Sequence, residues 1–123
     1  MKVIYISGPF SLIPDGYDEV HGIEHNINEA SRWALAVARK GWAPICPHKN
    51  TAGFQHVSDI PYSFWMDVCL TLVEKSDAIL MIPGWEKSPG AQIELKKAEK
   101  LGLDIFYWYD DVPKLNAGDM NGN

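Results

Sequence analysis

Apolar and polar positions fall into short blocks along this chain. Residues 2–7, Lys-Val-Ile-Tyr-Ile-Ser, form a mainly apolar run closed by Gly8-Pro9. That pattern predicts a buried strand and a sharp turn. Residues 10–23 mix Pro14, Gly16 and Gly22 with acids and predict a loop. A helical period then begins at Asn26, with Glu29 three residues on as in a capping box. Ile27, Ala30, Trp33, Ala34, Val37 and Ala38 recur at helical spacing, and Gly41 closes the pattern. Residues 42–46 predict a second strand at a sheet edge, because Pro44 has no N–H to give a central ladder. Residues 47–60 show no period and predict a long binding loop or lid. Ser58 or Asp59 is placed to cap the next helix, with Pro61 in its first turn and Phe64, Trp65, Val68 and Leu72 as its apolar stripe. Ser76-Asp77 breaks into a third strand, residues 78–82. After the turn Pro83-Gly84-Trp85, Ser88 caps a helix with Pro89 in its first turn, and Gly102 stops it. Residues 104–109 predict a last, aromatic strand.

The resulting order, β-α-β-α-β-α-β, predicts an α/β fold. Its sheet is doubly wound and parallel, with four to five strands and helices on both faces. At 123 residues this is one domain, placed at residues 1–113, with a loose polar tail over 114–123. The formal charge of −5 argues against a basic surface for a nucleic acid polymer or an anionic membrane. No apolar run is long enough to span a bilayer. The chain opens on a strand pattern rather than a signal peptide. Cys46 and Cys69 have no metal or redox spacing, so a reducing, cytoplasmic setting is expected.

Ligands of such sheets bind beyond the carboxyl ends of the strands. Residues 7–10, 46–48 and 83–85 lie at those ends, together with the start of the Pro89 helix. Gly90-Ala91 at that start lets a ligand approach closely, and free helix N–H groups favour an anion. Glu94 lies one turn further in. Asp67, on the margin of the preceding helix's stripe, is a second acid able to reach the same edge. Two carboxylates at a sugar pocket can divide nucleophile and proton-handling roles. Tyr5, near the end of the first strand, is placed to hydrogen-bond the nucleophile or a substrate, or to pack in the core. His48 follows a strand end, where a donor to a base or phosphate is useful. Trp85 is read as a base-pocket wall or a packing residue. His21 and His25 share an i,i+4 spacing but lack a third ligand, so no metal site is expected. No Gly-rich dinucleotide fingerprint, P-loop or nucleophile elbow is present.

Tyr5-Ile6-Ser7-Gly8-Pro9-Phe10, Asp67 upstream of Ser76-Asp77-Ala78, and Gly84-Trp85-Glu86-Lys87-Ser88 with Gly90-Ala91-Gln92-Ile93-Glu94 resemble the nucleoside 2-deoxyribosyltransferase family, and most nearly its small phage and bacterial branch. The resemblance spans roughly residues 3–109 and is most specific around Glu94. It implies a flavodoxin-like fold and cleavage of the N-glycosidic bond of a 2-deoxynucleoside or nucleotide, without cofactor or metal. It implies Glu94 as nucleophile, Asp67 as a sugar-binding acid and Tyr5 as the tyrosine that holds the nucleophile. Gly8, Pro9, Phe10, His48, Gly84, Trp85, Ser88, Gly90 and Ala91 are the expected substrate-binding residues. Ser88 stands where base-exchanging members often carry aspartate and where monophosphate hydrolases of the family carry serine, which points to a phosphate. A small-molecule partner and a homo-oligomer with shared sites are expected. The alternative is a non-catalytic nucleotide-binding or sensing module on the same fold.

Overall fold

The computed structural model describes residues 1–10, 12–47 and 59–115. Four strands are found among them: β1 (Val3–Ser7), β2 (Ala43–Ile45), β3 (Ala78–Met81) and β4 (Asp104–Phe106). Three helices accompany them: α1 (Glu19–Ala38), α2 (Tyr62–Glu74) and α3 (Pro89–Leu101). The strands pair in parallel in the order β2-β1-β3-β4. The strand order reverses between β1 and β3, so the ends of these two strands flank the crevice where such sheets bind ligands. Pro44 lies in the edge strand β2, as its missing N–H requires.

Alternation along β1 sorts its side chains between two cores. Ile4 and Ile6 join Ala30, Trp33 and Val37 of α1 on one face, with Ala78 and Leu80 of β3. Tyr5 lies on the other face with Ile79 and Met81, under Val73 of α2 and Ala91, Leu95 and Ala98 of α3. The sheet is therefore covered on both faces, by α1 on one and by α2 and α3 on the other. Lys97 of α3 is bridged to Glu74 of α2 at 2.7 Å.

Several boundaries differ from expectation. Helix α1 starts at Glu19, capped by the Asp18 carboxylate, which accepts from the His21 N–H at 2.9 Å. Residues 19–23 are thus helix, not loop. Gly22 reads as a breaker but serves close packing, since a Cβ there would lie 2.8 Å from Ile13 Cγ2. Asn26 is no cap. It is buried, and its amide donates to the carbonyls of Phe10 (2.8 Å) and Leu12 (2.9 Å), which ties the segment after β1 to α1. Helix α2 has Pro61 itself at the cap position, with no side-chain cap, so Asp59 does not cap it; Ser58 lies outside the described residues. Phe64 is exposed rather than part of a buried stripe.

Ser88 and Pro89 begin α3 as expected, and Gly102 ends it with φ 73°, in the left-handed region that favours glycine. Strand β4 stops at Phe106, three residues early. Tyr107 and Trp108 are exposed, and a 3₁₀ turn at Tyr109–Asp111 follows. The chain then returns to the start of β2. Trp42 Nε1 donates to the Pro113 carbonyl at 2.8 Å, and the Leu115 N–H donates to the Lys40 carbonyl at 2.8 Å. Leu115 is buried, so packing continues two residues beyond the expected domain limit. The remainder of the expected tail lies outside the described residues. No helix among the described residues is long and apolar enough to cross a membrane.

Candidate active site

Glu94 is an acid on an otherwise apolar helix face. Ala91, Leu95 and Ala98 share that face and pack on the sheet, so the Glu94 carboxyl is carried inward with them and is only 7% exposed. Beneath it runs β1, whose residues 5 and 7 point to the same side. Tyr5 Oη donates to Glu94 Oε2 at 2.6 Å, and Ser7 Oγ donates to Glu94 Oε1 at 2.6 Å. Each carboxylate oxygen thus receives one short O–H bond, of the length found when the acceptor is charged. From α2, the half-buried Cys69 packs against the core cluster that holds Tyr5.

Burial pushes the Glu94 carboxyl above the ordinary glutamate value, while hydrogen bonds from Ser7, Tyr5 and Cys69 pull it back. Burial, then the Glu94 charge, hold the Tyr5 phenol well above its ordinary value, so it stays protonated and donates. Burial also raises the Cys69 thiol. The arrangement is a desolvated carboxyl held by neutral donors.

This carboxyl opens into a cavity of about 430 Å³. Gly8, Phe10, Leu12, Pro47, Tyr62, Trp65, Met66, Cys69, Ser88, Pro89, Gly90 and Ala91 line it with Glu94. The size suits a small organic molecule, and the mostly apolar, partly aromatic walls suit a flat ring above a single polar floor group. Gly8 is required by geometry. A Cβ there would lie 2.2 Å from Ile82 Cγ1, so only glycine lets β1 leave the sheet beside β3 at this point.

The expected site residues divide. Tyr5, Gly8, Phe10, Ser88, Gly90, Ala91 and Glu94 are brought together at or directly beneath the cavity. Pro9 and Gly84 line a neighbouring hollow of about 490 Å³, which also holds Lys87 and His25. Trp85 lines neither hollow. It packs against the α3 side of the core, its ring 5.6 Å from that of Tyr107. His48 lies outside the described residues. Asp67 is not brought to Glu94: it is exposed on α2 and does not line the cavity. Cys69, two positions and about 200° around the helix, faces the cavity instead. The start of α3 is also less open to an anion than expected. Ser88 Oγ accepts from the Ala91 N–H at 3.3 Å, and the Ser88 carbonyl accepts from the Gln92 N–H at 3.0 Å. His21 is paired with Asp18 at 2.7 Å, and His25 stacks near Tyr17.

Ser7 and Cys69 are site residues that the pattern did not single out. The signal for Ser7 was its position two residues after Tyr5, hence on the same strand face. For Cys69 it was the i+4 spacing from Trp65.

A family model described as a domain of unknown function (DUF4406) matches residues 2–107. No curated protein matches the chain. Among solved structures, a 2-desoxiribosyltransferase from Leishmania mexicana superposes with a TM-score of 0.55 at 25% identity, over 85% of this chain. This chain spans 62% of the length of that one. A 2-deoxyribosyltransferase from the psychrotolerant bacterium Bacillus psychrosaccharolyticus superposes with a TM-score of 0.57 at 15% identity, over 96% of this chain and 95% of its own. At that identity the second likeness speaks for the fold.

Proposed function

The chain belongs to the DUF4406 family, and we propose that it breaks the N-glycosidic bond of a 2-deoxynucleoside or its monophosphate with Glu94 as nucleophile. The observation that carries this reading is the buried Glu94 carboxyl with Tyr5 and Ser7 hydroxyls at 2.6 Å, one on each oxygen, beneath a cavity with aromatic walls. The likeness to solved 2-deoxyribosyltransferases supports it.

In the first step a Glu94 oxygen bonds to C1′ of the sugar as the C1′–N bond breaks, and the base leaves with the electron pair. The transition state has oxocarbenium character, and a carboxylate close to C1′ stabilises it. Tyr5 and Ser7 orient the carboxylate and share its charge before the bond forms. In the second step the nitrogen of another base, or water, bonds to C1′ and gives up a proton, which balances the proton taken up by the departed base, and the ester oxygen returns to Glu94 as carboxylate. Phe10, Trp65 and Met66 provide surface against which a base packs. Asp67 takes no part within one chain's cavity in this scheme.

Sugar transfer between bases and hydrolysis share the first step. The deciding experiment is a mass-spectrometric screen of deoxynucleosides and their monophosphates, with and without an added acceptor base, on wild type and Glu94→Gln. Base release by wild type alone supports the reading. An exchanged nucleoside identifies a transferase, and free deoxyribose or its phosphate a hydrolase. A ligand that binds without turnover moves the protein to the class of nucleotide-binding modules.

A further inference from the structure

Side chains from two walls surround the Glu94 carboxyl. Tyr5 and Ser7 rise from β1, one to each oxygen. Cys69 comes from α2, lines the same cavity as Glu94 and packs against the core cluster that holds Tyr5. The titratable groups facing Glu94 are therefore Tyr5 from β1 and Cys69 from α2. Among the described residues no charged side chain acts on it from β1, α2 or α3. Asp67, the acid of α2 nearest in sequence, points to solvent.

We propose that Cys69 is a positioning residue for Glu94, its thiol completing a cradle of three neutral donors that fixes the carboxylate toward the cavity. A thiol fits this place for two reasons. It is a weak donor, so it orients the carboxylate while withdrawing less of its charge than a third hydroxyl would. It is also close to apolar in its packing, so it sits against the core of Val73 and Leu72 without a desolvation cost. An acid at the same place would set a like charge against Glu94 and favour its protonated form. The cradle is a property of the unliganded protein. Only its service to catalysis rests on the function proposed above.

Carbon-13 NMR of side-chain-labelled glutamate tests this without any substrate, with the Glu94 signal identified by its loss in Glu94→Gln. Cys69→Ala removes a donor and is expected to move the Glu94 midpoint up by about half a pH unit or more, and Cys69→Asp by about one or more. Cys69→Ser supplies a stronger donor of similar size and is expected to move it down. If Cys69→Ala does not fold, the downward shift in Cys69→Ser decides alone. An unchanged midpoint in Cys69→Ser, with or without Cys69→Ala, overturns the cradle and leaves Cys69 a packing residue. Base release is measured in parallel. Shifted midpoints without turnover by wild type retain the cradle and refute the glycosidic function. Turnover with unshifted midpoints retains the function and refutes the cradle.

Discussion

Tyr5→Phe removes one hydroxyl from a fully buried site and leaves the ring in place. In the native protein that hydroxyl donates to Glu94 Oε2 at 2.6 Å, so its loss leaves the carboxyl with Ser7 on one oxygen and the Cys69 thiol. A hydrogen bond to a charged group contributes about 1.5–3 kcal/mol, and a neutral one about 0.5–1.5 kcal/mol. The difference between the two, about 1–1.5 kcal/mol, corresponds to an upward shift of Glu94 by about 0.7–1 pH unit. The sign follows from linkage. Glu94 lies above its ordinary value in the folded state, so its protonated form is favoured there. Its contribution to stability is fully present below the ordinary glutamate range and is lost as pH rises through the folded value. Tyr5→Phe raises that value further and so loses more at high pH. Urea unfolding followed by tryptophan fluorescence, from pH 4 to pH 9, is the assay. The mutant is expected to be less stable by about 0.5–1.5 kcal/mol in acid, where the carboxyl is neutral, and by about 1.5–3 kcal/mol once it is ionised. In a Glu94→Gln background the same mutation is expected to cost an amount that does not vary with pH, which isolates the pairwise term. A Tyr5→Phe cost that is flat with pH in both backgrounds would refute the claim that Tyr5 supports a buried charge.

Glu94→Gln is expected to abolish turnover, because the amide cannot form the glycosyl ester, and to leave stability above neutral pH equal to or higher than wild type, because it removes the buried charge; urea unfolding and base release on one preparation check both parts. A monophosphate is expected to bind within about tenfold of its nucleoside, since Ser88 already occupies the Ala91 and Gln92 N–H groups and no described lining residue is cationic. Calorimetry with a matched pair decides this, and a much larger phosphate preference would restore an anion site at the start of α3. Tyr62, Phe64, Tyr107 and Trp108 leave apolar surface exposed, and a homo-oligomer is expected; a monomer by light scattering at micromolar concentration would count against it.

Much of this molecule was legible in one dimension. Strands of four or five apolar residues, the proline in β2, the Ser88-Pro89 start of α3 and the glycine that ends it are each set by local chemistry. Backbone donors, caps and left-handed turns depend on the residue and its neighbours rather than on the fold. The pairing of Tyr5 with Glu94 was one of the alternatives that its position left open, and the family resemblance singled it out. What required three dimensions was phase and partner. Helix α1 begins at Glu19, capped by Asp18, and runs through Gly22, which looks like a breaker and instead is where Ile13 packs. Asn26 looks like a cap and instead holds the Phe10 and Leu12 carbonyls. Trp85, open in the sequence between pocket wall and packing residue, packs near Tyr107. On α2 the period alone did not say which side of the helix meets the cavity. At 100° per residue Asp67 and Cys69 lie about 200° apart, so the exposed Asp67 and the cavity-lining Cys69 are on opposite sides. Sequence spacing sets the angle between two side chains on a helix. Packing against α3 and β1 sets which of them faces inward.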